Sequence, residues 1–373
     1  MPLSVTEILE SYNPDAALSD ARTPPASWYT DPRILELEQR TVFARNWQIV
    51  GRAEQVREPG QYLTFDVAGE PIVVVRSKEN VLRGFFNVCR HHAAAVVAMP
   101  EGKTESFRCP YHGWTYNLDG ALMVTPEFAG VHHFDRTANG LVPIETAIWE
   151  AWVFARLERV ELSLEESLDA DLIARVTQLG LQNFHRTERR IYTLQCNWKV
   201  FVDNYLDGGY HVPHLHRGLE SILEASQYTV EIGSRFCLQS SPLSAEKAEA
   251  QIAAVRGGSH AIYYWIYPNF MINWYEGVMD TNIVRPRSVD QTEVIFDFYF
   301  ADTSTSAQER NLASIALSER IQTEDVAICE SVQRGLTSRA FNTGRLSVRR
   351  EAGAHLFHRL LYKDLKSGLS VTA

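Results

Sequence analysis

The pattern of hydrophobic and polar residues divides the chain into a first part with β-type spacing and a second part of mixed type. Apolar residues recur at helical spacing over residues 31–46, with Pro32 in the first turn, which predicts an N-terminal helix. From residue 48 onward, short β-branched and aromatic runs alternate with turn residues, which predicts a small all-β domain. The predicted strands cover residues 62–65, 71–76, 82–88, 114–117 and 149–155. We expect residues 1–44 to form a helical lead-in that packs on this domain, which would occupy residues 45–158.

The second part of the pattern predicts one antiparallel sheet with helices around it. Leucines at helical intervals between residues 161 and 179 predict the helix with which a second domain, residues 159–373, begins. The predicted strands fall at residues 227–232, 263–267, 270–274, 281–285 and 293–300, and the closing helices at residues 308–332 and 353–365. The predicted fold class is α+β: an all-β domain, then a domain of the helix-grip type in which helices flank an antiparallel sheet.

Composition narrows the possible classes of function. Of the 373 residues, 45% are hydrophobic and 22% are charged, an ordinary globular balance that is neither disordered nor membrane-like. The formal net charge of -10 argues against a nucleic-acid surface, which needs clustered lysine and arginine. The most apolar stretch, residues 261–275, is interrupted by Pro268 and is too short for a bilayer span. We therefore expect no nucleic-acid partner and no membrane span.

The N-terminal sequence and the cysteines both indicate a reducing compartment. The first residues contain neither a cationic leader nor an apolar core, so we expect a cytoplasmic location. The chain has 5 cysteines, an odd number, and Cys196, Cys237 and Cys329 show no pairing pattern. We expect these three to be reduced, buried thiols. The sequence also contains no Gly-x-Gly-x-x-Gly segment, so it gives no sign of a nicotinamide or flavin site.

Two short segments each offer one thiolate and one imidazole. Cys89-x-His91 is followed, after residues 92–108, by Cys109-x-x-His112. A mixed set of sulfur and nitrogen ligands suits iron or zinc. A zinc finger usually presents both cysteines first and both histidines later, whereas here each segment carries one of each. This order fits a 2Fe-2S cluster with both cysteines on one iron and both histidines on the other, while structural zinc or four unrelated buried residues are the alternatives.

The pair of segments resembles the cluster-binding arms of Rieske iron-sulfur proteins, which read Cys-x-His and Cys-x-x-His. Gly113 and Trp114 extend the likeness, because the second arm of that family commonly reads Cys-Pro-x-His-Gly-Trp. The resemblance implies that Cys89, His91, Cys109 and His112 together hold a Rieske 2Fe-2S cluster. It also implies that the first domain is the Rieske domain.

A second group of metal-binding residue types lies between residues 197 and 216, with two acids and three histidines. A non-haem iron(II) oxygenase needs two histidines and one carboxylate on one face of the metal, with the other positions open. On an unbroken helix His211 and His214 would share a face, whereas His211 and His216 would point about 140° apart. Pro213 would disturb that geometry, so periodicity alone leaves the choice of histidines open.

This segment is similar to ring-hydroxylating Rieske oxygenase α subunits, which carry Asn-Trp-Lys, an Asp/Glu-Asn pair and Tyr-His-x(4)-His in that order. The resemblance implies that His211 and His216 are the iron ligands, and it leaves His214 as a polar wall or surface residue. It also implies that the second domain is a mononuclear non-haem iron catalytic domain.

The family has a carboxylate three residues before its first ligand histidine, where it connects the iron site to a cluster histidine on a neighbouring subunit. This chain has Gly208 at that position. We expect Asp207 to take the role, with Asp203 as the alternative. Asp203, Asn204 and Asp207 are therefore the candidate catalytic residues beside the metal.

The same resemblance implies a third iron ligand, an Asp or Glu from a helix late in the second domain. Residues 323–336 match that stretch and contain Glu324, Asp325 and Glu330. On a helix Glu324 and Asp325 point about 100° apart, so only one of them would face the metal. We expect Asp325 to be the ligand, with Glu330 as the fallback and a solvated acidic stripe as the non-functional alternative.

The likeness to Rieske oxygenases extends over about residues 28–368. Within the family, the chain is most similar to choline monooxygenase and related quaternary-ammonium oxygenases. This closer likeness is found in residues 203–213, 267–273, 279–282 and 329–336. An aromatic box can hold a trimethylammonium group by cation–π attraction. The candidates for such a box are Tyr205, Trp265, Tyr267, Trp274 and Tyr275, of which we expect one or two to line a pocket and the others to fill the core. The same rings would also sandwich a flat aromatic ring, so aromatic-ring hydroxylation or O/N-demethylation is the rival activity.

The resemblance as a whole implies a terminal oxygenase. Such an enzyme takes single electrons from a separate NAD(P)H-dependent reductase or ferredoxin, activates O2 at iron(II) and hydroxylates a small substrate. In this family the cluster and the iron of one chain are too far apart for electron exchange, so the resemblance implies a homotrimer. A Rieske electron carrier, which needs only the first domain, is the non-enzyme alternative. The sequence leaves open whether one or both oxygen atoms are inserted.

Overall fold

The computed structural model describes residues 3–244, 252 and 254–369. The chain divides into two compact units, of which the larger combines Met1–Val42 with Glu165–Ala373 and the smaller is Phe43–Leu164. The predicted α+β class is confirmed, because strands dominate the smaller unit whereas a sheet and long helices form the larger.

The N-terminal segment belongs to the larger unit, so the prediction of a lead-in packed on the all-β domain is wrong. The segment contains helices α1 (Val5–Glu10), α2 (Ser27–Thr30) and α3 (Pro32–Glu38), then a π-helical turn, Gln39–Phe43. Glu38, at the end of α3, is fully buried and accepts hydrogen bonds from Trp198 Nε1 at 2.7 Å and Lys199 Nζ at 2.6 Å. Helical spacing identifies an apolar face but not its partner, which here is the larger unit.

The smaller unit contains one seven-stranded and one three-stranded antiparallel sheet. Its strands are β1 (Gln48–Arg52), β2 (Gln61–Val67), β3 (Glu70–Arg76), β4 (Leu82–Phe86), β5 (Glu101–Lys103), β6 (Phe107–Arg108), β7 (Thr115–Tyr116), β8 (Leu122–Val124), β9 (Pro143–Trp149) and β10 (Trp152–Arg156). The larger sheet has the order β1-β10-β9-β4-β3-β2-β5 and the smaller the order β6-β7-β8. Short 3-10 turns cover Ala53–Val56 and Thr137–Asn139.

Strand β3 explains how this unit supports the two cysteine loops. Its side chains alternate between the two faces of the sheet, as in any strand. Ile72 and Val74 pack into one apolar cluster, whereas Val73 and Val75 pack into another that contains Cys89. The cysteine loops therefore lie against a buried core rather than on an unsupported surface.

The larger unit is built on a seven-stranded antiparallel sheet. Its strands are β11 (His185–Leu194), β12 (Thr229–Ile232), β13 (Phe236–Pro242), β14 (Gly257–Ile266), β15 (Phe270–Glu276), β16 (Val278–Ser288) and β17 (Gln291–Phe300), in the order β11-β17-β16-β15-β14-β13-β12. Six of them follow one another as neighbours, from β12 to β17. The sequence pattern located all of these strands except β11 and β13.

Helices cover this sheet and carry most of the candidate chemistry. They are α4 (Leu164–Leu168), α5 (Ala170–Thr177), α6 (Trp198–Tyr205), α7 (Val212–Leu215), α8 (Arg217–Glu220), α9 (Gln308–Leu336) and α10 (Ala352–Leu369), with 3-10 turns at Leu181–Asn183, Ala225–Gln227 and Thr305–Ala307. Helix α6 lies against β16 and β17, and α9 lies against α6. Among the described helices, none is long and apolar enough to cross a bilayer.

Candidate functional site

The two cysteine loops of the smaller unit have the same backbone design. The Cys89 N–H donates to Ala94 O at 2.8 Å, and the Cys109 N–H donates to Trp114 O at 2.8 Å. In each loop the residue four positions after the cysteine, Ala93 or Gly113, adopts a positive φ. Both cysteines are buried, with 3% of each side chain exposed. The chain thus forms two equivalent loops, each with a buried thiol at its base.

The imidazoles of these loops come together. The ring centroids of His91 and His112 lie 4.7 Å apart, and Trp114 stacks on His91 at 4.7 Å. The buried Nδ1 of His91 has no hydrogen-bond partner among the described residues. Burial, with His92 and His112 nearby, lowers the pKa of His91, which favours the neutral form that binds metals. A buried nitrogen without a partner beside two buried thiols fits an iron-sulfur cluster.

Tyr116 lies beneath the loops and contacts one of the cysteines. Its hydroxyl oxygen accepts from the Arg90 N–H at 3.0 Å and lies 3.4 Å from Cys89 Sγ. Since the backbone donor occupies an oxygen lone pair, the phenolic O–H is available to the sulfur. Burial, together with the hydrogen bond to Cys89, raises the pKa of Tyr116, so the phenol keeps its proton.

In the larger unit, the Asn-Trp-Lys segment starts helix α6. Asn197 is the N-cap, and its side chain accepts from the Lys199 N–H at 3.1 Å. Trp198 and Lys199 both donate to the buried Glu38, which fixes the first turn. This segment therefore has a structural role: it holds α6 so that the residues at its end reach the candidate metal site.

A glycine pair lies between α6 and the first candidate histidine. Gly208 and Gly209 have φ angles of +69° and +67°, in the left-handed region that favours glycine. A Cβ on Gly208 would also overlap the backbone carbonyl of Arg350. A carboxylate at position 208 is therefore incompatible with this loop, and Asp207 provides the acid beside it.

Asp207 holds His211 in place. Its Oδ2 accepts from the His211 N–H at 2.9 Å and lies 2.6 Å from His211 Nδ1. The short helix α7, with Pro213 near its start, then ends before His216, which has left helical geometry at φ -110° and ψ 71°. This break lets His216 share a site with His211, and it leaves His214 exposed. Proline thus overrides helical periodicity, which would have paired His211 with His214.

The two imidazoles meet a single carboxylate. Asp325 Oδ1 lies 3.0 Å from His216 Nε2 and 3.7 Å from His211 Nε2, and it accepts from Asn204 Nδ2 at 2.9 Å. One ligand atom from each of His211, His216 and Asp325 fits within a 4.8 Å span. Among the described residues, this is the one group of three or more such side chains that could hold a metal ion.

The outer nitrogens of the same imidazoles face carboxylates too. Glu324 Oε2 lies 2.6 Å from His216 Nδ1, just as Asp207 lies against His211. Burial lowers the pKa of His216, but the hydrogen bonds to Asp325 and Glu324 outweigh it and raise the pKa overall. A site in which each imidazole meets an acid on both sides attracts positive charge. A divalent cation would supply that charge between the inner nitrogens and Asp325.

The other candidate acids lie elsewhere. Asp203 accepts from Tyr29 Oη at 2.6 Å and lies 2.8 Å from His358 Nε2. Glu330, the fallback ligand, accepts from the Gln195 N–H at 3.0 Å. The structure therefore brings Asp325 to the two histidines, with Asn204 beside it, and it does not bring Asp203 or Glu330 there.

Two family models match the chain. The Rieske [2Fe-2S] domain matches residues 46–135, and the ring hydroxylating alpha subunit (catalytic domain) matches residues 181–366. Choline monooxygenase, chloroplastic, of Arabidopsis thaliana is 39% identical over 97% of this chain and 87% of its own length. The chain belongs to the Rieske oxygenase α-subunit family. As a member it is an oxygenase that uses a 2Fe-2S cluster, mononuclear iron, O2, a small substrate and a separate reductase.

Other relatives of this Rieske oxygenase match over nearly the whole chain. The carnitine monooxygenase oxygenase subunit of Escherichia coli (strain K12) is 30% identical over 93% of this chain and 95% of its own length. The structure of a quaternary ammonium Rieske monooxygenase in complex with its substrate L-carnitine aligns with a TM-score of 0.81 at 27% identity, covering 98% of this chain and 99% of that one. The match to a catalytic domain excludes the alternative of a simple Rieske electron carrier.

A cavity of about 130 Å³ adjoins the histidines and Asp325 of this oxygenase. Besides that ligand set, its lining includes Asn204, Tyr205, Tyr228, Gln239, Arg256, Tyr263, Asn273, Tyr275, Asp280, Asn282, Phe296, Ser318, Ile321 and Gln322. Burial raises the pKa of Tyr205, Tyr228 and Tyr263 well above the usual range, so these phenols are neutral. The lining therefore combines uncharged aromatic rings with a few polar groups.

Of the five rings named as candidates for an aromatic box, two line the cavity, in line with the expectation of one or two. These are Tyr205 and Tyr275, whereas Trp265, Tyr267 and Trp274 do not line it. Trp274 lies between Asn273 and Tyr275 on β15, so it points to the other face of the sheet. The remaining two lie away from the cavity, where Trp265 packs on Phe357 of α10 and Tyr267 donates to Asp364 at 2.8 Å.

Apart from Asn204 and the ligand set, sequence reasoning missed the polar residues of the cavity, and it missed four of its rings, Phe201, Tyr228, Tyr263 and Phe296. One signal was available for Asp280: an acid within an otherwise apolar strand is rarely buried without a function. Asp280 is 5% exposed, and its Oδ2 accepts from Asn273 Nδ2 at 2.7 Å and Asn282 Nδ2 at 3.2 Å. Burial raises the pKa of Asp280, against the opposing effect of Arg256 and the two amides.

Replacing Tyr116 by phenylalanine should lower the reduction potential of the cluster. A hydrogen bond donated to a ligand sulfur stabilises the electron-rich reduced state, so its loss disfavours reduction. A tenfold weaker preference for the reduced state corresponds to about 59 mV for one electron. Redox titration followed by paramagnetic resonance would measure this shift. Tyr62→Phe, which changes another tyrosine of the same apolar cluster, is the matched control and should leave the potential unchanged.

Proposed function

We propose that this Rieske oxygenase is the terminal component of a monooxygenase that hydroxylates a quaternary ammonium compound of the choline, betaine or carnitine type. The cavity beside the histidine–aspartate set carries this proposal. Its wall contains the rings of Tyr205, Tyr228, Tyr263, Tyr275 and Phe296, and the buried carboxylate of Asp280.

A quaternary ammonium group suits such a wall for two physical reasons. It has no N–H to donate, so neutral aromatic faces attract it through their quadrupole at little desolvation cost. Asp280 supplies a compensating charge, because its Oδ1 accepts no hydrogen bond from the described residues while Oδ2 accepts two. The amides of Asn273 and Asn282 hold the carboxylate in position.

We assign His211, His216 and Asp325 as the ligands of the mononuclear iron, and Cys89, His91, Cys109 and His112 as those of the cluster. When bound, the cluster supplies single electrons and the iron activates O2 for insertion into a C–H bond. Asp207 and Glu324 hold the Nδ1 protons of the two iron-site imidazoles, so that both Nε2 atoms face inward. Asn204 orients the carboxylate of Asp325 through its side-chain amide.

We further propose that Asp207 connects the iron site to the cluster of a neighbouring chain in a homotrimer. Asp207 is the acid in contact with His211, whereas Asp203 bonds to Tyr29 and His358. A related quaternary ammonium Rieske monooxygenase transfers electrons between subunits. Light scattering on the purified protein should give the mass of three chains, and a monomer with full activity would contradict this proposal.

The cysteines support a reducing compartment, which we take to be the cytoplasm. Cys196, Cys237 and Cys329 are buried and outside any disulfide, as predicted, and Cys89 and Cys109 are the proposed cluster ligands. Fractionation of the native cells, with the oxygenase detected by antibody, would test this location.

Hydroxylation of a flat aromatic ring is the weaker alternative. The same tyrosines would stack on such a ring, but an apolar ring would leave Asp280 and Arg256 buried in the cavity wall with no ligand charge to meet. The two charges attract each other but form no direct ion pair, and burial of incompletely paired charge is costly, so the lining suits a charged substrate better.

Substrate-dependent O2 uptake with a surrogate reductase tests the proposed function. The iron-loaded protein should contain about three irons per chain. It should consume O2 with at least one of choline, glycine betaine, carnitine or γ-butyrobetaine, and not with benzoate. Uptake with the aromatic acid alone would overturn the substrate class.

Replacing Asp280 by asparagine should weaken the binding of the ammonium substrate. A hydrogen-bonded or contact charge contributes about 1.5–3 kcal/mol, which corresponds to roughly 10- to 150-fold in the dissociation constant. Calorimetric titration would compare choline with 3,3-dimethylbutanol, its uncharged carbon isostere. The isostere should bind the variant and the parent equally well; an equal loss for both ligands would indicate a disrupted cavity rather than a lost charge contact.

A further inference from the structure

Arg256 lies in the cavity wall immediately before β14, and its side chain is held by neutral partners. The residue is 5% exposed, and its guanidinium carbon lies 4.9 Å from the ring centroid of Tyr275. Nη1 donates to the hydroxyl of Ser314, and Nη2 donates to the hydroxyl of Ser318 at 2.7 Å. Two serines of α9 and one aromatic face therefore fix the guanidinium.

The charge of Arg256 has no contacting counterion in the part of the chain that the structure describes. No carboxylate oxygen of the described residues lies within 4.0 Å of its guanidinium nitrogens. Buried arginines usually pair with a carboxylate. Arg156, which is also buried, does so, because its guanidinium lies 2.6 Å from Glu145. A buried arginine without such a pair is rare, since removal of the charge from water costs several kcal/mol.

Asp280 is in the same cavity, and the charge of Arg256 acts to lower its pKa against the effect of burial, but no Asp280 oxygen lies within 4.0 Å of the guanidinium nitrogens. Its Oδ2 binds the amides of Asn273 and Asn282 instead. The cavity therefore keeps one positive and one negative group apart, both buried. A ligand that carries a cation and an anion would satisfy both groups, whereas an amino alcohol would satisfy only Asp280.

The distance between Arg256 and the proposed iron site can be estimated along helix α9, which contacts both. Ser318, which holds the guanidinium, precedes Asp325 by two turns on the same helix, which is about 10 Å along its axis. An anionic group bound at Arg256 would thus lie away from the iron ligands, and the ammonium end would lie nearer to them. The methyl and methylene groups next to the nitrogen would then face the site of oxygen insertion.

We infer that Arg256 is a specificity-determining residue that binds the carboxylate of a betaine-type substrate, a compound with both a quaternary ammonium and a carboxylate. This inference rests on the proposed quaternary ammonium function and narrows it. The rigid fork of a guanidinium matches a carboxylate in a bidentate fashion, which a lysine cannot reproduce.

The ligand side of the test needs no variant. Binding to the purified holoenzyme, in the absence of reductase, is measured by calorimetry for glycine betaine, L-carnitine and γ-butyrobetaine. Each is compared with its methyl ester, and choline and tetramethylammonium are titrated in parallel. The best betaine should bind at least tenfold more tightly than its ester and than choline. Equal affinity of acid and ester would overturn the assignment of Arg256.

The protein side of the test uses Arg256→Met and Arg256→Lys. The methionine variant should lose at least tenfold in betaine affinity relative to ester affinity, and the lysine variant should recover part of it. Arg235→Met is the matched control, because Arg235 forms a similar stack on Tyr267, at 4.8 Å, outside the cavity lining. Cluster absorption and the thermal midpoint would monitor folding. If a variant does not fold, the comparison of each acid with its methyl ester on the unmodified holoenzyme still tests the assignment.

The outcomes separate the two proposals. If no ammonium ligand binds and none supports O2 uptake, the proposed function fails. If choline and the esters bind as well as the acids, the function stands and the role of Arg256 is refuted. If Arg256→Met changes acid and ester binding equally, Arg256 is a structural tether between β14 and α9 rather than a carboxylate receptor.

Discussion

Replacing Asp325 by alanine should abolish turnover and remove the mononuclear iron, while the visible absorption of the cluster is retained. Asp325 provides the carboxylate oxygen that faces both inner imidazole nitrogens, so its loss leaves a site of two neutral donors. Iron per chain should fall from about three to about two. Metal analysis and O2 uptake on the same preparation would measure both effects.

Glu330→Ala provides the matched control for this experiment. Glu330 is a carboxylate of the same helix, but its Oε1 accepts from the Gln195 N–H rather than facing the imidazoles. We expect this variant to keep its third iron and its turnover. A fully active Asp325→Ala enzyme with three irons would show that another side chain completes the metal site.

Replacing Glu38 by alanine should destabilise the larger unit by about 3–5 kcal/mol, because the change leaves the charge of Lys199 buried without its partner. Both side chains are fully buried, with Nζ 2.6 Å from the carboxylate. Burial raises the pKa of Glu38 and lowers the pKa of Lys199, and their mutual attraction is the largest effect that opposes this loss of charge. The thermal midpoint, followed by tryptophan fluorescence, should fall by on the order of 10 °C.

Two further variants separate the ion pair from simple loss of volume. The double change Glu38→Leu with Lys199→Met should recover most of the stability, since it replaces two buried charges with apolar groups of similar size. Glu10→Ala breaks an exposed pair with Lys366 and should leave the midpoint unchanged. An equal loss in the single and the double variant of the buried pair would contradict the charge argument.

The sequence contained most of what locates the candidate metal site. Cysteine and histidine spacing identified the two loops, and the family resemblance selected His211 and His216 where helical periodicity would have selected His214. The 100° separation of neighbouring helical residues predicted that only one of Glu324 and Asp325 faces inward. In the structure Asp325 faces inward and Glu324 supports His216 from outside.

The cavity could not be predicted in the same way, because it depends on contacts between distant segments. Alternation along β15 separates Trp274 from Tyr275, but it does not say which face of the sheet meets α9. Trp265 has an aromatic character that suits a pocket, yet α10 covers it with Phe357. Strand β11 was missed because its charged residues give no apolar alternation, as suits a strand at the sheet edge.

The glycine at position 208 restricts how this enzyme can be redesigned. Arg350 Nη1 donates to the Gly208 carbonyl at 3.1 Å, while the Arg350 carbonyl occupies the space that a side chain at position 208 would need. An engineer who transplants the acid of other Rieske oxygenases into position 208 would therefore have to rebuild the segment around Arg350 as well. Substitution of position 208 alone would displace the loop and break the contact between His211 and Asp207.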